Sequence, residues 1–401
     1  MGKRAGQPRR HSLSGCADSP DAEGAALPCD FKFGATYTKG DAGLGSVEGG
    51  ADYLAVWLGT YSKKFGTGFN RYHHGHMLDR VKRFNATAVF YAYLIAMLAR
   101  HTQGLHDCDV KGAHSLCVHG ADFIRRKEAL ILDTYEHYAN ETAKRLGDDA
   151  QVIWLMEPDW HQYSAPTQRG GGLRQRTMVT LFGRMVARIK RHLPKAKISF
   201  DISPWVNDQE AWLRPFLERC EIDYMHTSGG RTLGDSTRVR ADANNLVTWR
   251  EVHRITGKGI IADTGYGVGG ARGSADPQFD VAWYNETHLR DRIADGVIAL
   301  TQAYAWPTWE QQLPPLRAKL PKAKNCLTVT VPSKEARARL GFARSFNRTT
   351  VAATPRAQPP RTQAPRLPAA RTPARTHAVG SHSSLRAAGE RRRAAGPALK
   401  P

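Results

Sequence analysis

Acidic residues stand at the ends of several short apolar segments, and this pattern is the first indication of chemistry in the chain. Glu157 and Asp159 follow one such segment, Asp201 and Asp263 end two others, and His226 ends a fourth. If these segments are parallel strands of a β/α barrel, their carboxyl ends meet at one rim, where barrel enzymes carry their catalytic groups. The sequence therefore predicts a rim lined by carboxylates and an imidazole.

Hydrolysis of a glycosidic bond fits such a rim. It needs one carboxylic acid to protonate the leaving oxygen and a second carboxylate as nucleophile or as base for water. Glu157 and Asp159 would point the same way if strand geometry continued past them, but Pro158 between them indicates a turn. A single acid at a strand end is as often a helix cap or an ion-pair partner, whereas several acids on one rim favour a functional site.

Aromatic and polar side chains near this rim are predicted to bind the substrate, because aromatic faces stack well on sugar rings. A core position is the more common fate of any single tryptophan, and the two that lie next to rim acids are the stronger candidates for sugar platforms. The predicted substrate-binding residues are Trp160, Tyr163, Trp205, His226, Asp263 and Trp306.

Short apolar segments rich in Val, Ile, Phe and Tyr alternate with longer amphipathic ones over most of the chain. The predicted helices cover 121–146, which should end at Gly147, and 173–192, 208–219 and 244–255. The predicted strands are Phe31 to Thr36, Thr87 to Ile95, Gln151 to Met156, Lys197 to Asp201, Ile222 to His226, Gly259 to Asp263 and Gly296 to Thr301.

Sustained strand–helix alternation predicts a parallel sheet, either doubly wound or closed. No Gly-x-Gly-x-x-Gly follows the first strand and no P-loop motif occurs, so a nucleotide-binding sheet is disfavoured. We therefore predict a parallel β/α barrel of seven or eight strands, TIM-like or distorted, over residues 29–328. No cofactor is expected, and the chain is predicted to act as a monomer.

The formal net charge of +21 lies mainly in the C-terminal segment. From Thr328 onward there are 15 Lys and Arg residues against 2 acids, in a stretch rich in Ala, Arg and Pro. Such a composition cannot bury enough apolar surface to fold, so residues 329–401 are predicted to be a disordered basic tail, and 1–28 a disordered N-terminal segment. Nucleic acid is expected to bind this tail only non-specifically, if at all.

The compartment is not fixed by the sequence. There is no apolar run long enough to cross a membrane, and the N-terminal segment lacks the apolar stretch of a secretory signal. Against this, Cys108 and Cys117 are close enough to close a small loop, Cys29 and Cys326 bracket the predicted domain, and sequons within that domain are compatible with secretion. An extracellular location is the expectation. These sequons begin at Asn85, Asn140 and Asn285.

Four segments, in order, resemble glycoside hydrolase family 6, the inverting cellulases with a distorted β/α barrel. His106-Asp107-Cys108, Met156-Glu157-Pro158-Asp159, Phe200-Asp201-Ile202-Ser203-Pro204-Trp205 and Ile260-Ile261-Ala262-Asp263-Thr264-Gly265 are similar to its Arg-Asp-Cys, Glu-Pro-Asp, Asp-Ala-Gly-His and Ile-x-Asp-x-Gly motifs. The resemblance implies cleavage of a β-linked glucan or related polysaccharide with inversion. Asp159 would be the general acid, Asp107 and Asp201 would tune it and hold the substrate, and Glu157 would be structural.

The segment that would carry the family's catalytic base has no acid before Glu310. The base is therefore not assigned, and Asp263 and Asp276 are the two candidates. Two alternatives follow: a retaining glycosidase with Glu157 as acid/base and Asp263 as nucleophile, or a glycan-binding pseudoenzyme. The histidine-rich segment 71–76 could hold a metal ion, although a loop histidine cluster is more often structural, and no metal site is predicted.

Overall fold

The computed structural model describes residues 30–37, 51–108, 114–165, 172–227, 232, 234–240, 247–264, 282–303 and 309–321. The two segments predicted to be disordered lie outside these residues. The same is true of Trp306, Asp276, Cys29 and Cys326.

Eight parallel strands close into a barrel, each hydrogen-bonded to the next in chain order and the last to the first. The prediction of a parallel β/α barrel is confirmed. The strands are β1 (Lys32–Thr36), β2 (Tyr53–Trp57), β3 (Thr87–Ala92), β4 (Ile153–Met156), β5 (Lys197–Asp201), β6 (Tyr224–His226), β7 (Gly259–Asp263) and β8 (Val297–Ala303).

Helices cover the outside of this barrel. A π-helical turn (Arg71–Gly75) precedes the first of them. The helices are α1 (His76–Phe84), α2 (Leu94–Gln103), α3 (Leu116–Leu146), α4 (Trp160–Ser164), α5 (Gln175–Lys190), α6 (Gln209–Leu217), α7 (Trp249–Thr256), α8 (Glu286–Ala294) and α9 (Trp309–Lys319).

Alternation along each strand separates two apolar layers. Odd-numbered residues such as Ala55, Tyr91 and Leu155 form a cluster inside the barrel, whereas Trp154 and Phe200 belong to the larger core between strands and helices. Successive side chains of a strand point to opposite faces, so each strand contributes side chains to both layers. Toward the carboxyl ends of the strands, the side chains of the inner layer become polar.

The long helix α3 ties distant parts of the molecule together. Ser115 caps its start by accepting from the backbone N–H of Cys117, and Gly147 ends it as predicted. Near its middle, the hydroxyl of Tyr138 accepts from the backbone N–H of Gly59 at 2.9 Å and lies 3.0 Å from the carbonyl oxygens of both Thr67 and Gly68. The connection after β2 is therefore anchored to α3.

The amino end of the barrel is closed by α9. Asp52 accepts from the backbone N–H of Phe33 at 2.8 Å and from Arg317 of α9 at 2.7 Å. The Arg317 guanidinium also lies 5.3 Å from the centre of the Phe33 ring. These contacts hold the end of the barrel that is opposite the predicted rim.

Each of the seven predicted strands overlaps an observed one, but several boundaries differ and one observed strand was not predicted. The predicted strand Thr87 to Ile95 stops at Ala92, because α2 begins at Leu94. Strand β2 was missed, although its five residues, YLAVW, form an apolar run. Among the residues described, no helix is both long and apolar enough to span a membrane.

Candidate active site

The barrel interior becomes more polar toward the carboxyl ends of the strands. Along β7 and β8 the inward positions change from Ile261 and Ala299 to Asp263 and Thr301, which are paired in register. Thr301 shares a hydrogen bond of 2.7 Å with the Tyr91 hydroxyl across the interior. The carboxyl end is therefore the face at which a polar ligand could enter, as the sequence predicted.

One predicted catalytic carboxylate contacts a tyrosine, and a second acts on the same tyrosine through its charge. The hydroxyl of Tyr93, the residue after β3, donates to Asp107 Oδ1 at 3.2 Å, and Arg100 of α2 forms an ion pair with the other oxygen of Asp107. Burial first, and then the charges of Asp159 and Asp107, raises the pKa of Tyr93 well above its ordinary value. Tyr93 therefore stays a neutral donor between two acids.

Asp107 is held in place by its own small loop. Cys108 and Cys117 form a disulfide, and the backbone of His106 pairs with that of Ser115. Because Cys117 lies at the start of α3, the bridge fixes the segment carrying Asp107 against that helix. The loop closure inferred from the cysteine spacing is present.

The turn after β4 separates Glu157 from Asp159. Both residues have positive φ, 46° and 63°, which costs about 1–2 kcal/mol per non-glycine residue. The two left-handed residues break the strand alternation, so the side chains do not share a face. Asp159 stays half-buried at the rim and accepts from Gln162 at 2.8 Å.

Glu157 is enclosed among three helices. Its carboxylate accepts from the hydroxyls of Tyr135 (2.6 Å) and Tyr163 (2.5 Å) and from the backbone N–H of Ile95 at the start of α2 (3.1 Å). Burial raises the pKa of Glu157 to about 7, opposed by these hydrogen bonds. With no exposed surface, the carboxylate joins α2, α3 and α4 to the rim.

Asp201 and His226 form a second polar group inside the barrel mouth. They are paired in register on β5 and β6, and His226 Nε2 lies 3.8 Å from Asp201 Oδ1. The Ser199 hydroxyl is 3.0 Å from His226 Nδ1. Burial lowers the pKa of His226 to about 3, so the imidazole is neutral at physiological pH.

Several buried polar atoms at the rim have no hydrogen-bond partner within the described part of the chain. They are Thr36 Oγ1 at the end of β1, Ser203 Oγ after β5, His226 Nε2 at the end of β6 and Thr264 Oγ1 after β7. Since buried polar groups in native proteins are nearly always satisfied, such a cluster indicates a place for water or a polar ligand.

The predicted aromatic platforms have different fates. Trp160 and Tyr163 are fully buried, because α4 packs its apolar face against α3, and neither ring can receive a sugar in this arrangement. Trp205 is 41% exposed and has the Arg240 guanidinium 4.2 Å from its ring centre. Trp306 lies outside the described residues.

Tyr93, Arg100 and Trp57 were missed by sequence reasoning. Tyr93 was hidden inside the predicted strand Thr87 to Ile95, and Arg100 lay in a stretch for which no helix was predicted. Trp57 ends the unrecognised strand β2 and stacks on Tyr91 at 4.8 Å. The apolar run YLAVW with its terminal tryptophan was the signal in the sequence from which Trp57 could have been found.

His74, the buried histidine of the segment 71–76, has a structural role. His74 Nδ1 accepts from the backbone N–H of Asn70 at 2.9 Å, and Nε2 lies 3.2 Å from the carbonyl oxygen of Trp57. Burial lowers the pKa of His74 to about 3. Within the described ranges, no group of three or more His, Cys, Asp or Glu side chains could hold a metal ion.

No family model and no curated protein matches this chain. Solved structures similar to it include GH26C from Muricauda sp., with 13% identity and a TM-score of 0.47 over 75% of this chain and 89% of that one. A Cellulomonas fimi endo-β-1,4-mannanase double mutant has 11% identity and a TM-score of 0.45 over 75% and 73%. The GH53 catalytic domain of Ignisphaera aggregans has 12% identity and a TM-score of 0.43 over 76% and 98%.

The resemblance to glycoside hydrolase family 6 is wrong. No family model matches, and the similar solved structures carry other glycoside hydrolase designations, GH26 and GH53 among them. Short motifs such as Glu-Pro-Asp and Asp-Ile-Ser mark strand ends followed by turns, which β/α barrels of many families share. The four motifs therefore indicate where the rim lies in the sequence, but they do not identify the family.

Proposed function

We propose that this protein is a glycoside hydrolase acting on a polysaccharide or oligosaccharide, with Asp159 as the general acid. The observation that carries the proposal is the position of two acids at the carboxyl-end rim: Asp107 accepts from the buried hydroxyl of Tyr93, and the charge of Asp159 raises the pKa of the same hydroxyl. A glycosidic bond is broken by carboxyl groups in such a position, one of which must hold a proton. The similar mannanase and GH53 structures agree with this class of reaction.

The three groups have different roles in the proposal. Arg100 and Tyr93 hold the Asp107 carboxyl group in place. Asp159 is the acid that gives its proton to the leaving oxygen. Gln162 orients the Asp159 carboxyl through its 2.8 Å hydrogen bond.

We assign the second carboxylate to Asp263. It ends β7, three strands around the barrel from β4, whereas Asp201 ends the neighbouring strand β5. Two carboxyl groups must flank the scissile bond, and a residue across the mouth is better placed for that than one beside the acid. Asp201, next to His226, is then a substrate-binding group. Glu157 takes no part, because its carboxylate is enclosed by Tyr135, Tyr163 and α2.

The first test is hydrolysis of mannan, xylan, galactan and β-glucan by the full chain and by Asp159→Asn. Loss of a general acid lowers kcat by about 10²–10⁴-fold. The loss should be much smaller on aryl glycosides with a good leaving group, because these need little protonation. The matched control is Asp133→Asn on the outer surface of α3, whose side chain is 69% exposed and 3.9 Å from Arg188.

Full activity of Asp159→Asn on polysaccharides would remove Asp159 from the acid role. The anomer first released, followed by proton NMR, separates the stereochemical outcomes: inversion requires Asp263 as a base, and retention requires it as a nucleophile. Binding of a polysaccharide by the wild-type protein without product would favour the pseudoenzyme instead.

We also propose an extracellular location for the protein. The disulfide between Cys108 and Cys117 supports this, because such bonds persist in oxidising compartments. Detection of the protein in the medium or the cytosol of its source cells would test it.

A further inference from the structure

Two exposed aromatic rings flank the carboxylates of the rim. Tyr61, four residues beyond β2, is 56% exposed, and Trp205, four residues beyond β5, is 41% exposed. Most large apolar side chains of the barrel are buried, whereas these two rings on carboxyl-end connections are open to solvent.

Each of these rings is supported from one side. Tyr61 stacks on His101 of α2, with ring centres 4.6 Å apart and an interplanar angle of 29°. Trp205 has Arg240 at 4.2 Å. A ring fixed on one face and open on the other is a rigid platform, because little side-chain entropy is lost when a second flat group stacks on it.

Contacts along the chain place Tyr61 beside the proposed catalytic group. Its partner His101 directly follows Arg100, which pairs with Asp107, which in turn accepts from Tyr93. The connection carrying Tyr61 is itself fixed by Tyr138 through Gly59. The connections that carry Tyr61 and Asp107 therefore lie next to each other at the carboxyl end of the barrel, after β2 and after β3.

Trp205 lies on the opposite side of Asp107 and Asp159. It lies on the connection between β5 and α6, and α6 touches the helix after Asp159 through the rings of Trp212 and His161, 4.7 Å apart. Around the rim the order is thus Tyr61, Asp107, Asp159 and Trp205. The carboxyl groups stand between two platforms that are three strands apart.

We infer that the rim binds an internal stretch of a long polysaccharide, with sugar units stacked on Tyr61 on one side of the scissile bond and on Trp205 on the other. This inference rests on the proposed function and adds to it the mode of action: cleavage within chains rather than removal of terminal units. A binding site for chain ends would need only one platform and a closed second side.

The test measures kcat and KM of Tyr61→Ala, Trp205→Ala and wild type on two substrates. One is a soluble polysaccharide that the wild-type protein cleaves, and the other is a short aryl glycoside. Each variant should raise KM for the polymer roughly tenfold, as loss of one stacking contact does. The kcat on the polymer and kcat/KM on the aryl glycoside should change less than about twofold. Tyr61→Phe should behave as wild type, because it keeps the ring.

Tyr72→Ala is the matched control. Tyr72 is an exposed tyrosine on the same connection, 39% exposed, but Arg71 and Lys64 lie 5.0 and 5.2 Å from its ring centre. Its loss should leave KM for the polymer unchanged. An unchanged KM in both Tyr61→Ala and Trp205→Ala, with polymer cleavage intact, would overturn the inference and leave the proposed function standing.

Binding gives a second readout that does not need hydrolysis. In affinity electrophoresis through gels containing mannan, xylan or β-glucan, Asp159→Asn should be retarded, and adding Tyr61→Ala or Trp205→Ala should clearly reduce the retardation. Retardation without hydrolysis by wild type would refute the proposed function and keep the two-platform groove. Neither binding nor hydrolysis of any polymer would refute both.

Discussion

Replacing the enclosed Glu157 by glutamine should change how the stability of this protein depends on pH. Burial raises the pKa of Glu157 from 4.5 to about 7 in the folded protein. The folded state therefore binds this proton more tightly than the unfolded state. The stabilisation is complete below pH 4.5 and is lost as pH rises through about 7.

The size of the effect follows from the pKa shift. Each pKa unit corresponds to about 1.4 kcal/mol, so wild type should lose ~3 kcal/mol of unfolding free energy from this group between about pH 4.5 and 7.5. Glutamine fits the same contacts: its carbonyl oxygen can accept from Tyr135 and Ile95, and its amide can donate to Tyr163. Glu157→Gln has no proton to lose, so this part of the pH dependence should vanish.

The assay is urea unfolding of both proteins at pH 5, 6, 7 and 8. The difference in unfolding free energy between variant and wild type should move by ~3 kcal/mol in favour of the variant from pH 5 to pH 8. A constant offset at all four pH values would refute the reasoning, whatever its sign. Glu136→Gln is the control without a trend in this range. Although burial opposes it, hydrogen bonds from Arg188, Arg191 and His192 lower the pKa of Glu136, so its stabilisation is complete above its unfolded pKa of 4.5 and the offset of this variant should be nearly constant from about pH 5 to pH 8.

Three further variants test the site and its supports. Tyr93→Phe removes the hydroxyl between Asp107 and Asp159 and should lower kcat at least about tenfold with little change in Tm, measured by steady-state kinetics and calorimetry; unchanged kcat would exclude Tyr93 from the site. Ser199→Ala leaves His226 Nδ1 without its partner and should cost about 1–3 kcal/mol in urea unfolding, whereas a neutral result would mean that this hydrogen bond contributes nothing. Gly120→Ala places a Cβ 2.4 Å from the Tyr163 carbonyl oxygen, so α3 and α4 must separate. The unfolding free energy should fall by about 1–3 kcal/mol, and activity should fall with it. Unchanged stability and activity would show that the two helices can move apart without cost.

The barrel and its rim could be predicted from the sequence because they depend on local patterns. Acids and a histidine directly follow apolar runs at β4, β5, β6 and β7, and the closure of parallel strands brings those ends together without further information. Strand β2 was missed because a five-residue run gives a weak signal beside longer amphipathic segments.

The roles of individual rim residues could not be predicted in the same way. Whether Glu157 or Asp159 faces the rim depends on two positive φ angles, and these are set by the tyrosines of α3 and α4 rather than by neighbours in sequence. Trp160 and Tyr163 have the composition of a sugar platform, and only the packing of α4 against α3 buries them. Tyr93 becomes functional because a disulfide loop brings Asp107 back to it.

Helix α3 gives the molecule one further property. Tyr135, through Glu157, sets the turn that carries Asp159, and Tyr138, one helical turn later, holds the connection that carries Tyr61. The positions of the proposed acid and of the Tyr61 ring therefore both depend on the same segment of α3. If the 58–70 loop is exchanged between related barrels to alter substrate choice, the matching turn of α3 must be exchanged with it. The unit to redesign is therefore the loop together with this part of the helix.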